Sequence, residues 1–171
     1  MIESGRRPLR VVVLADTHVQ ARSSRRLPDA AYAHLAEADL VLHAGDIVSP
    51  ELLDELAGFA PVHAVLGNND HDLVGVLPEA LALDLAGVPV AMIHDSGASA
   101  GRARRLWRRF PTAKLVVYGH SHLPYDELGE GDQRLFNPGS ATWKRTAPHH
   151  TLGRLDLLDG AIVRHELVAL D

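Results

Sequence analysis

The sequence predicts an α/β protein of α+β mixed sheets, built as a four-layer αββα sandwich with two packed β-sheets flanked by helices. Three observations predict it. Strand and helix patterns alternate through the first two thirds of the 171 residues, which is the pattern of strand–helix crossovers. The last third changes to short strands separated by glycine turns. Five short apolar runs each end in a residue able to ligate a metal, and runs of that length read as buried strands.

Taken in order, Val11-Val12-Val13-Leu14 marks a strand over 9–15. Leu27, Ala31, Leu35 and Ala38 recur at helical spacing and predict a helix over 27–37, with Pro28 suited to its first turn. A second strand covers 39–43, and Ser49-Pro50-Glu51 opens a helix to residue 57, with Ser49 as N-cap. A third strand covers 61–66. The segments 81–85 and 88–93, joined by Ala86-Gly87, read as a hairpin, although Ala-Leu-Ala-Leu-Asp-Leu does not by itself separate strand from helix. A helix over 99–110 and a strand over 114–118 follow. Strands at 125–128, 134–136, 152–158 and 161–168 are punctuated by Gly129, Gly131, Pro138-Gly139 and Asp159-Gly160, the last a hairpin turn. There is no repeat, low-complexity tract or linker, so a single domain over 1–171 is expected.

Bulk properties narrow the function. A chain of this length removes roughly 70% of its unfolded surface from water. Hydrophobic residues make up 46% and charged residues 23%, ordinary values for a globular protein. No apolar stretch approaches the ~20 residues needed to span a bilayer. Residues 9–15 are too short and strand-like for a signal peptide. Without cysteine there is no disulfide framework and no thiolate metal site, and a cytoplasmic location is expected. A net charge of −5 argues against general nucleic-acid binding. Arg102, Arg104, Arg105, Arg108 and Arg109 would spread over more than half of a helix, leaving Ala103, Leu106, Trp107 and Phe110 to pack. A solvated face is the expectation there, with an anionic partner as the alternative.

Ligands of open α/β sheets sit beyond the carboxyl ends of the strands, and that is where the donors fall. Asp16, His18, Asp46, Asn68, His94, His120 and His122 mix carboxylate, amide and imidazole, a set suited to Mn²⁺, Fe²⁺, Zn²⁺, Co²⁺ or Ni²⁺. Seven donors are too many for one ion and suit two, provided one carboxylate bridges them.

Asp16-x-His18, Gly45-Asp46, Gly67-Asn68, His94 and Gly119-His120-Ser121-His122 resemble, in order, the motifs of the calcineurin-like metallophosphoesterases. Asn137-Pro138-Gly139-Ser140 and the chain length make the sequence most similar to the small YfcE-type phosphodiesterase branch. The resemblance implies two divalent ions, Mn²⁺ foremost. Asp16, His18 and His122 would hold the first, Asn68, His94 and His120 the second, and Asp46 would bridge them at the ~3.5–4 Å of two-metal hydrolases. A hydroxide bridging the ions at Asp46 would attack phosphorus in line with the leaving oxygen. His43 and Asp70 are expected behind the ligands, and Gly139 and Ser140 beside His122 or the phosphate. His34, His63, His149, His150 and His165 read as surface or packing residues. Asn69 stands where many phosphatases of the family carry a histidine acid, and an amide cannot supply a proton at neutral pH. Asp95-Ser96 likewise replaces the glycine and histidine frequent after the ligand equivalent to His94.

The expected function is hydrolysis of phosphodiesters in a small phosphoester substrate, away from membranes. The alternatives are a phosphomonoesterase or nucleotidase, and a non-catalytic scaffold like the retromer subunit of this fold. An exposed sheet edge in the last third offers a surface for homodimerisation.

Overall fold

The computed structural model describes residues 6–171. In chain order its elements are β1 (Leu9–Leu14), α1 (Asp29–Ala36), β2 (Leu40–His43), α2 (Pro50–Ala57), β3 (Val62–Ala64), β4 (Ala80–Leu85) and β5 (Val88–Ile93). There follow α3 (Arg102–Arg109), β6 (Leu115–Val117), β7 (Tyr125–Leu128), β8 (Arg134–Asn137), β9 (Thr151–Leu158) and β10 (Ala161–Ala169). One sheet has the order β10-β9-β1-β2-β3 and the other β4-β5-β6-β8-β7. β1, β2 and β3 run parallel, as do β5, β6 and β8, while the β1–β9, β9–β10, β4–β5 and β7–β8 pairs are antiparallel. Register places Leu14 beside His43 and His43 beside Ala64, so three carboxyl ends finish together.

Side-chain alternation along the buried strands builds the layers. Val11, Val13 and Ala15 join Leu40, Leu42, Val90, Met92, Leu115, Val117 and Phe136 between the sheets. Val12, Leu14 and Val41 face the other way, onto Ala31 and Leu35 of α1 and Leu52 and Leu56 of α2. On the second sheet Ala91, Ile93, Val116 and Tyr118 cover Leu106 of α3. The result is the αββα sandwich. Each fully buried Leu, Val or Phe contributes about 1.5–3 kcal/mol of transfer free energy, so the three apolar layers outweigh any single polar contact in the fold.

Several boundaries differ from expectation for local reasons. Pro28 caps α1 from outside, in an extended conformation, and the helix starts at Asp29. Ser49 occupies the N-cap of α2, but its hydroxyl bonds the Glu51 carboxylate and leaves the backbone uncapped by a side chain. α3 starts at Arg102, after Gly97 and Gly101 with positive φ. Arg105 reaches back from α3 to the carbonyls of Ser96 (2.8 Å), Ala98 (2.5 Å) and Ala100 (3.2 Å), fixing that loop, and Arg102 lies over the Tyr118 ring at 5.2 Å. The ambiguous 81–85 segment is strand β4, paired to β5 through Ala86 and Gly87, both with positive φ as a tight hairpin requires. No helix among the described residues is long and apolar enough to cross a membrane.

Candidate metal centre

Asp16 and His18 follow β1, Asp46 follows β2, Asn68 follows β3, His94 follows β5, and His120 and His122 follow β6. Strand direction therefore delivers donors from both sheets to one rim. Five of these residues hold left-handed backbone: Asp16 (φ 54°), His18 (45°), Asp46 (57°), His120 (70°) and His122 (61°). Such conformations cost about 1 kcal/mol or more each for non-glycine residues and persist only where the surroundings over-determine them. Here the rim is stitched by Asp16 N–H to the Gly45 carbonyl (2.9 Å), His18 N–H to the Asp46 carbonyl (2.9 Å) and His120 N–H to Asp16 Oδ1 (3.1 Å).

The donor atoms converge as two groups. Asp16, His18 and His122 offer atoms within 4.8 Å of one another, and so do Asp16, Asp46 and His94. Asp46 Oδ2 lies 3.3 Å from His18 Nε2 and 3.5 Å from His94 Nε2, touching one imidazole from each implied set. Asn68 Oδ1 sits 3.0 Å from His94 Nε2 and 3.1 Å from His120 Nδ1. Asp16 Oδ1 lies 3.7 Å from His122 Nε2 and 3.9 Å from His94 Nε2, so Asp16 also stands between the groups. Asp16 Oδ2, His18 Nε2 and His122 Nε2 are buried with no hydrogen-bond partner. Three buried polar atoms left unmatched cost about 1–3 kcal/mol each, and a cation placed among them removes that cost. The residues present fit a divalent-metal site.

Electrostatics agree. Burial, with repulsion from Asp46, pushes the Asp16 carboxyl up to about 7, against the pull of His94. Burial also opposes ionisation of Asp46, but hydrogen bonds from His94 and Asn69 and the His94 charge outweigh it and hold Asp46 below the usual carboxylate range. Burial works against the charge on His94 too, yet Asp46 and Asp16 prevail and raise it. Burial lowers His18, and lowers His122 to about 4. Neutral imidazoles with bare Nε2 lone pairs are the form a metal needs.

The ligand tautomers are set from behind. His94 Nδ1–H donates to the Ala44 carbonyl (2.7 Å) and His122 Nδ1–H to the Trp143 carbonyl (2.6 Å), which leaves both Nε2 atoms facing the centre. Asp70 accepts from the N–H groups of Gly67 (2.7 Å), Asp46 (2.9 Å) and Val48 (2.7 Å), locking the Asp46 turn. Asn69 donates its backbone N–H to Asp46 Oδ1 (2.9 Å) and its amide to Oδ2 (2.8 Å). His43 accepts from Gly45 N–H at Nδ1 (3.2 Å) and so donates from Nε2 to Thr17 Oγ1 (3.0 Å); burial lowers it to about 3. Ser140 Oγ donates to the Asp16 carbonyl (2.8 Å) and accepts Trp143 N–H (2.9 Å). Close approach explains two glycines: a Cβ on Gly67 would lie 2.2 Å from Asp46 N, and one on Gly45 2.7 Å from His94 Nδ1.

His43, Asp70, Gly139 and Ser140 are all buried. Of the expected places beside His122 or the phosphate, the hydrogen bonds put Ser140 on the His122 side. Its hydroxyl goes to the Asp16 carbonyl and the N–H of Trp143, the residue whose carbonyl holds His122, while Gly139 N–H bonds Asn137 Oδ1 at 2.9 Å. Asp95 turns back to its own loop, accepting Gly97 N–H at 2.8 Å, with its other oxygen 3.9 Å from His120 Nε2. Sequence reasoning missed Trp143, whose carbonyl orients His122 and whose ring edges on His18 and His122 at 5.1 and 5.2 Å. Its only sequence signal is its position just after Asn137–Ser140.

Comparison with known proteins points the same way. The model of the calcineurin-like phosphoesterase superfamily domain matches residues 9–160. A probable metallophosphoesterase of Methanothermobacter thermautotrophicus is 35% identical over 159 residues, covering 89% of this chain and 90% of that one. A Thermotoga maritima protein solved by NMR is 31% identical, with a TM-score of 0.72, covering 94% of this chain and 99% of that one. The fold alone is shared with a novel archaeal phosphodiesterase, at 18% identity, a TM-score of 0.71 and coverage of 94% and 99%.

Proposed function

The chain belongs to the calcineurin-like phosphoesterase superfamily, and from that premise we propose that it is a phosphodiesterase working with two divalent cations. The observation that carries this reading is the Asp46 carboxylate, within 3.5 Å of a histidine from each donor group, beside three buried donor atoms that nothing else satisfies. Asp16, His18 and His122 would hold one cation and Asn68, His94 and His120 the other, with Asp46 between. The mixed nitrogen and oxygen donors suit Mn²⁺ best in this reading, and accept Ni²⁺, Fe²⁺, Co²⁺ or Zn²⁺. When bound, such a pair supplies an activated water and neutralises charge on the phosphoryl group. The chain's own residues do the positioning. Asn69 and Asp70 fix the Asp46 carboxylate and its turn, while the Ala44 and Trp143 carbonyls aim His94 and His122.

Diesters are favoured because Asn69 cannot donate a proton to a leaving oxygen and its amide is already committed to Asp46. Loss of general-acid help costs typically 10²–10⁴-fold, so substrates whose leaving group departs as a stabilised anion should dominate. The test is hydrolysis of bis(p-nitrophenyl) phosphate after EDTA treatment and Mn²⁺ add-back, beside p-nitrophenyl phosphate. Metal-dependent turnover that favours the diester, and its loss in Asp46→Asn, are expected. Undiminished activity in Asp46→Asn would overturn the assignment. Faster monoester turnover would favour a phosphomonoesterase, and failure to bind two ions per chain a scaffold.

A further inference from the structure

Beside the first donor group an exposed tryptophan carries two arginines. The Arg25 and Arg145 guanidiniums lie 4.6 and 4.9 Å from the Trp143 ring centroid, and that ring is the one edging on His18 and His122. Trp143 is 39% exposed. Among the described residues neither arginine makes a salt bridge, whereas the adjacent Arg26 pairs with Asp29 at 2.6 Å. Arg25 also lines an open cleft of about 540 Å³ together with His18, Gln20, Ser23, Ser24, Thr142 and the Asp29-paired Arg26, and no carboxylate is among the lining residues. His18 is the wall shared between this cleft and the metal centre.

These features have one chemistry in common. A guanidinium held on an aromatic face is pre-ordered, keeps its N–H fork free and pairs bidentately with phosphate. Two of them, unneutralised, beside a cleft whose polar lining is hydroxyls, amide and cations, form a receptor for an anion. Scissile phosphate belongs at the donor groups, so the anion received here is a different one. Resting on the phosphodiesterase reading, we propose that Arg25 and Arg145, organised by Trp143, bind a second phosphate carried by the leaving group. Among diesters of ordinary alcohols, those of a phosphorylated alcohol, such as a 5′-phosphorylated dinucleotide, are then preferred over those of a neutral alcohol.

Two measurements test this. In the first, Trp107→Phe makes Trp143 the single tryptophan, and the EDTA-treated protein is titrated with inorganic pyrophosphate. A saturable change in Trp143 fluorescence is expected, with the dissociation constant at least tenfold weaker in Arg25→Gln and in Arg145→Gln and partly restored in Arg145→Lys. No saturable change, or one that neither glutamine substitution alters, would overturn the proposal. In the second, the Mn²⁺-loaded enzyme is given diadenylate with and without a 5′-phosphate. A kcat/KM ratio of about tenfold or more in favour of the phosphorylated dinucleotide is expected, falling toward one in the glutamine variants. A ratio near one in the unsubstituted protein counts against the second-phosphate site even when both are hydrolysed. Absence of any metal-dependent hydrolysis defeats the phosphodiesterase reading instead, and the metal-free titration still decides the anion site.

Discussion

Asp70 shows how much of a metal centre is built by residues that never face it. One buried carboxylate accepts three backbone N–H groups from the two turns that carry Asp46 and Asn68. Asp70→Ala leaves all three donors unmatched, and at about 1–3 kcal/mol for each buried unsatisfied group it should destabilise the fold by at least ~3 kcal/mol in urea unfolding. Asp70→Asn keeps one accepting oxygen and should lose less. The titrating ligands make a second prediction at this scale. Asp16 is pushed up to about 7 by burial and His94 is raised by Asp46 and Asp16, so without metal each holds its proton to higher pH than an ordinary carboxyl or imidazole. A cation requires the carboxylate and the neutral imidazole, so its binding expels those protons. The number released should grow, and affinity should fall, as pH drops from 8 to 6. Calorimetry in buffers of different ionisation enthalpy reads this directly, and Asp16→Asn should remove part of the release.

At the scale of elements, α3 shows a charged helix serving as a clasp. Its arginines read from sequence as a solvated face, and Arg104 and Arg108 are exposed as that reading requires. Arg105 instead collects the carbonyls of the 96–100 loop, which begins two residues after His94. Arg105→Ala should cost about 1 kcal/mol in global stability, since one exposed side chain is lost, while amide exchange in 97–101 should rise well beyond the rest of the domain. Equal exchange across α3 and the loop would show that the clasp is immaterial.

At the scale of the molecule, metal binding at this centre would be linked to folding. A ligand that binds only the folded state stabilises it by about 2.7 kcal/mol at one hundred times its dissociation constant. At roughly 2–4 °C per kcal/mol for a chain of this size, saturating Mn²⁺ should raise Tm by at least several degrees over EDTA, and twice that if two sites fill. Asp46→Asn should flatten the response, and differential scanning calorimetry measures both. Much of the architecture was legible because its determinants are local or periodic. Val11–Leu14 and Leu40–Leu42 announce strands by continuous apolar character, and Asp159-Gly160 announces a hairpin by the positive φ that both residues adopt. Where the signal was ambiguous, as at 81–85, pairing with β5 decided it.

By itself the sequence determined the order of elements and the αββα layering, and it singled out the candidate donors, because strand periodicity and ligand chemistry are written residue by residue. Only the tertiary structure decided which donors share a cation's neighbourhood. It set Asp16 as well as Asp46 between the two groups, turned Asn69 inward onto Asp46, and assigned Ser140 to backbone. It also brought Trp143, with Arg25 and Arg145, against His18 and His122. Some of those contacts join residues more than a hundred positions apart in the chain, as Ser140 to Asp16 does, and no local pattern encodes them. They arise when two sheets, each folded for its own apolar reasons, align the ends of β1, β2, β3, β5 and β6 on a single rim.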